Sequence, residues 1–89
     1  MPIVSMFYGI IVSIFYEGES KHKRPHIHAR YQGKSVSVSI ENGEILAGDI
    51  PSKQKRLIQA WIDIHKEELL ADWELASSGE KPFRIKPLQ

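Results

Sequence analysis

The sequence predicts an α+β domain, a mostly antiparallel β-sheet of four to five strands with one long kinked helix or two helices packed on one face. Three observations predict it. β-branched and aromatic residues alternate with polar ones through residues 1–50, an apolar stripe with helical spacing runs through residues 51–79, and an alternating Phe83–Ile85 pair lies between two prolines in residues 80–89. These stretches read as a β-meander, a helical part and an extended tail of a single domain, since 89 residues at 42% apolar composition supply one modest core.

Ile3 to Phe7 and Ile10 to Tyr16 are strand-like, with Gly9 between them, and form two strands or one strand bent at the glycine. In the second piece Ile10, Val12, Ile14 and Tyr16 share one face while Ile11, Ser13 and Phe15 share the other. Apolar residues on both faces predict a central strand. A charged loop follows to Arg24, which Pro25 holds extended. From His26 the alternation is clean, with Ile27, Ala29 and Tyr31 on one face and His26, His28 and Arg30 on the other. A turn centred on Gln32-Gly33 pairs Tyr31 with Lys34, Ala29 with Val36, Ile27 with Val38 and His26 with Ser39, so the apolar faces agree. Asn42-Gly43 is a hairpin signal, and Glu44 to Gly48 reads as a further strand. Continuing the alternation through that hairpin brings Leu46 onto the polar face, which the pattern does not explain.

Pro51-Ser52 opens the helical part. Ile58, Ile62, His65, Leu69, Trp73 and Ala76 step by three or four residues, and Leu57, Trp61 and Ile64 widen the stripe. One straight helix from Ser52 to Ser78 would run about 40 Å at 1.5 Å per residue, long for a domain whose radius of gyration should be roughly 12 Å. A break near His65-Lys66-Glu67 is therefore expected, with Glu67 and Glu68 suiting a new helix N-terminus.

Composition excludes some functions. Lys+Arg 12 against Asp+Glu 11 gives a formal net charge of +1, so electrostatic binding would have to be local. With no cysteine there is neither a disulfide framework nor a thiolate metal site, which suits a reducing cytoplasm. The apolar N-terminal run lacks a basic leader and a small-residue cleavage site. It is also shorter than the roughly 20 residues of a membrane span. A cytoplasmic chain without membrane association is expected.

The unusual chemistry lies in Lys21-His22-Lys23-Arg24-Pro25-His26-Ile27-His28-Ala29-Arg30. His26 and His28 are two apart on a strand, so their side chains leave one face about 7 Å apart at the Cα atoms. Such a pair could share a divalent metal or act as acid and base on a phosphate, which makes His26, His28 and Arg30 candidate catalytic residues and His26 and His28 candidate metal ligands. Arg30 could hold an oxyanion through two parallel hydrogen bonds, but it also repels an incoming cation. Metal binding is thus expected to be weak, and no cofactor is predicted. Lys21, His22, Lys23, Arg24 and Arg30 form a candidate binding patch that could meet nucleic-acid phosphates. The plain alternative is a solvated sheet face, its histidines bonded to Ser37 and Ser39, beside an ordinary charged loop.

Phe7-Tyr8-Gly9-Ile10, Pro25-His26-Ile27-His28-Ala29, Glu67-Glu68-Leu69-Leu70 with Trp73-Glu74, and Ile85-Lys86-Pro87-Leu88 together resemble the small bacterial family catalogued as Domain of Unknown Function 4160, over essentially the whole chain. Arg24 and Ile27 depart from its usual proline and phenylalanine. The resemblance implies no established activity. It implies a gene set beside another small gene, as in toxin–antitoxin and other two-gene modules, and hence a protein partner. With an open polar sheet face carrying His26, His28 and Arg30, the first expectation is a small regulatory or interaction protein. The alternatives are a metal- or histidine-dependent phosphodiester-cleaving enzyme using the histidine pair, and a nucleic-acid binder working through the basic loop.

Overall fold

The computed structural model describes residues 2–16 and 24–88. Period-two alternation becomes five strands, β1 (Ile3–Phe7), β2 (Ile10–Ser13), β3 (His26–Tyr31), β4 (Lys34–Ser39) and β5 (Ile45–Gly48), followed by helices α1 (Ser52–Ile64) and α2 (Lys66–Ser77). The sheet is an antiparallel meander in the order β1-β2-β3-β4-β5. The β1–β2 and β3–β4 turns are built alike. Tyr8 and Gly9 have φ of 49° and 77°, Gln32 and Gly33 of 47° and 79°, the left-handed pair that matches strand twist in two-residue hairpins.

The β3–β4 register is the one the apolar alternation requires, with His26 opposite Ser39, Ile27 opposite Val38 and Ala29 opposite Val36. Val12 pairs with Ala29, and Val4, Phe7, Ile10, Ile14 and Ile40 join them in a buried layer. Ile58, Trp61 and Ile62 of α1 and Leu69 and Trp73 of α2 complete that core. Phe7 and Trp61 meet ring to ring at 5.3 Å, and Gln59 Nε2 of α1 donates to the Gly43 carbonyl at 2.8 Å. Ile64 departs from the expected stripe and is exposed.

The β4–β5 connection is longer than a two-residue turn. Ser39 N–H donates to the Glu44 carbonyl and Gly43 N–H to the Ser39 carbonyl, enclosing residues 40–43. A bulge follows. Val38 faces Ile45 while Ser37 faces Ala47, so Leu46 is the extra residue. That shift returns Ile45 to the core face and accounts for the misplaced Leu46 of simple alternation.

The helical part is broken at His65 (φ −110°, ψ 25°), with Glu67 and Glu68 in the first turn of α2 where the helix dipole favours them. The break is shallow, because His65 N–H still reaches the Trp61 carbonyl and Leu69 N–H the His65 carbonyl. The tail runs back to the opposite sheet edge, where Ile85 N–H donates to the Val4 carbonyl of β1 at 2.7 Å.

Candidate functional site

His26 and His28 leave the same side of β3, opposite Ile27 and Ala29, but the face is not the open one the alternation suggests. His26 and Ser39 are fully buried, and Ser13 and Ser37 nearly so. The imidazoles of His26 and His28 lie 4.9 Å apart, edge to face. The Trp73 ring of α2 packs on His26 at 4.9 Å and also meets Tyr16 at 5.6 Å, at the end of the sheet where β2 leaves and β3 enters. Phe15 stacks on His28 at 4.1 Å with only 13° between the planes. The pair is thus enclosed in a row of aromatic rings.

Hydrogen bonds fix the ring positions further. His26 Nδ1 lies 2.7 Å from the Arg24 carbonyl, which can only accept, so this nitrogen carries the proton and donates. His28 Nδ1 lies 3.4 Å from Ser37 Oγ. Among the described residues no group of three His, Cys, Asp or Glu side chains stands close enough together to hold a metal ion.

Of the candidate binding patch, Lys21, His22 and Lys23 lie outside the described residues. Arg24 turns back onto the domain. Its Nη1 bonds Glu44 Oε1 at 3.0 Å, its Nη2 reaches Ser39 Oγ at 3.3 Å, and its Nε lies 3.7 Å from Glu41. Two carboxylates therefore offset the charge the patch would have offered a phosphate. Arg30 stands apart. It is exposed, sits across from Ile11 and Ser35, and makes no ion pair with any described residue.

Sequence reasoning passed over the surface around Arg30. Met6 pairs with Ile11 across β1 and β2, and Ile11 pairs with Arg30, so all three project from the side of the sheet away from α1. Met6 is 52% exposed, Tyr8 in the adjoining turn 57%, and Ile11 half-buried. A depression of about 350 Å³ beside them is lined by Gly9, Ile11, Arg30, Tyr31, Gln32 and Ser35 among others. Tyr31 itself is on the core side, half-buried, its ring 3.5 Å from where a side chain on Gly9 would begin.

The family model described as Domain of unknown function (DUF4160) matches residues 9–74. The chain belongs to the DUF4160 family. The matched span runs from the β1–β2 turn to α2 and takes in the histidine pair with both Phe15 and Trp73; β1 and the tail fall outside it. No curated protein and no solved structure matches this DUF4160 chain. Its Phe15 was legible as a strand residue on the histidine side of β2. Trp73 over His26 had no local signal, since the two are far apart in sequence and meet only when α2 folds back.

Proposed function

We propose that this DUF4160 chain is a small regulatory or interaction protein, one component of a two-gene module, and that it meets a protein partner through the face of β1, β2 and β3 that carries Met6, Ile11 and Arg30. One observation carries the reading. Met6 and Ile11 stand side by side next to Arg30, an exposed cation that makes no ion pair with a described residue, and Met, Tyr and Arg are the residue types enriched where proteins meet. A partner that fits offers an apolar patch bordered by a carboxylate, which Arg30 can grip through two hydrogen bonds. Co-purification with the product of the neighbouring gene tests this. The complex should form with the unaltered chain and weaken at least tenfold, about 1.4 kcal/mol, in Arg30→Glu and in Met6→Lys. A complex indifferent to both substitutions, or no complex at all, rules the proposal out.

The histidine pair supports a second reading, metal- or histidine-dependent phosphodiester cleavage, on the 4.9 Å approach of the two rings. Burial of His26 under Trp73 and the commitment of its Nδ1 to the Arg24 carbonyl weigh against it. Calorimetric titration with zinc and manganese should therefore give weak or no binding. Micromolar or tighter affinity, abolished by His26→Ala, would promote the enzyme over the interaction module.

A further inference from the structure

Among the described residues, three hydrogen bonds hold residues 83–86 of the tail, and each uses a backbone atom of the tail. Phe83 N–H donates to Asp72 Oδ1 at 3.0 Å, Ile85 N–H to the Val4 carbonyl at 2.7 Å, and the Trp61 indole N–H to the Lys86 carbonyl at 2.9 Å. Between these anchors Ile85 is buried, whereas Phe83 is 73% exposed. The seat thus reads an extended backbone and one aliphatic side chain, as do sites that bind a peptide beside a sheet edge. Nothing in this set of bonds demands the tail's own sequence.

Two features bear on release of the tail. Residues 77–81, which join α2 to the tail, are all exposed, and Gly79 has φ of 81°. Asp72 is 2% exposed, yet only Oδ1 is bonded; Oδ2 is buried without a hydrogen-bond partner. A buried carboxylate paired on one side costs free energy that hydration or a second donor would recover.

We propose that the groove between the β1 edge and the two helices is a receptor for an extended peptide, with the chain's own tail as its resident occupant. The partner segment places an aliphatic side chain in the Ile85 seat and offers an amide to the Val4 carbonyl. Beside Asp72 it carries a basic residue, supplying Oδ2 with the donor that neither Lys81 nor Arg84 of the tail provides. Displacement frees the β1 edge for strand addition, a different surface from the one around Met6 and Arg30.

A synthetic peptide with the sequence of residues 81–89, added to the full chain and to its Ile85→Asp variant, tests this. The variant's own tail cannot seat, so its groove is open. It should bind the peptide saturably and at least tenfold more tightly than the unaltered chain, whose tail competes and lowers the available fraction. A peptide carrying Ile85→Asp should not bind. A folded Ile85→Asp chain that takes up no peptide overturns the proposal. Should that variant fail to fold, amide exchange of the unaltered chain decides. Phe83 and Ile85 amides exchanging much faster than those of Ile27 and Val38 support release of the tail, and equal rates overturn it. A concentration-dependent dimer with exchanged tails would also overturn the partner-directed claim.

Discussion

Asp72 concentrates the residue-scale electrostatics. Burial pushes its carboxyl above the ordinary value of 3.8, the Phe83 amide opposing and the Glu68 charge adding to the rise. A folded-state value above the unfolded one means that the folded chain binds the proton more tightly. The penalty on folding is therefore absent below about pH 3.8, grows as pH rises through the folded value, and is complete above it. Asp72→Asn keeps an acceptor for Phe83 and removes the charge, while its amide nitrogen adds a burden that does not vary with pH. Relative to the parent, the variant should gain stability as pH rises from 3.5 to 7, measured by denaturant midpoints. A gap that stays constant with pH would show that Asp72 is not held above its usual range. Arg24 makes the converse point, since its carboxylate pairs are half-exposed and contribute little to stability each, though together they fix its direction.

Among the elements, β5 has the least margin. It has four residues, lies at an edge of the sheet order, and its last residue, Gly48, has φ of 76°. A Cβ there would lie 2.3 Å from the Ser35 carbonyl oxygen, a backbone atom that cannot swing aside. Gly48→Ala therefore combines a left-handed penalty of about 1–2 kcal/mol with a clash. Loss of at least that much stability is expected, with the β5 amides losing exchange protection before those of β3. Unchanged protection in β5 would mean that the β4–β5 pairing is slack enough to absorb the methyl group. At the β3–β4 hairpin no such device is needed, because the alternation of Ile27 and Ala29 against Val36 and Val38 sets the register.

At the scale of the whole molecule, the net charge is only +1, and Glu41 and Glu44 offset the charge of Arg24 in the expected basic patch. Duplex DNA and single-stranded RNA should bind no more tightly than micromolar at physiological salt. Replacing Lys21, Lys23 and Arg24 together should change that little. Submicromolar binding that weakens steeply with added salt would restore the nucleic-acid reading. No helix of the described residues is long and apolar enough to cross a membrane.

What the sequence determined by itself is whatever depends on side-chain period. Two-residue alternation assigned the faces of β2, β3 and β4, Gln32-Gly33 fixed the register, and the Ile58–Ile62–Leu69–Trp73 stripe with Glu67 and Glu68 located the core side of the helices and their break. Tertiary structure alone decided which of those faces met solvent. Alternation states only the side on which His26 projects. Its burial depends on Trp73 arriving from α2, just as the direction of Arg24 depends on Glu41 and Glu44 across the β4–β5 turn. The bulge at Leu46 and the seat of the tail on β1 are likewise settled by partners distant in the chain. A local pattern carries the direction of a side chain, and burial is a property of what the rest of the chain places over it.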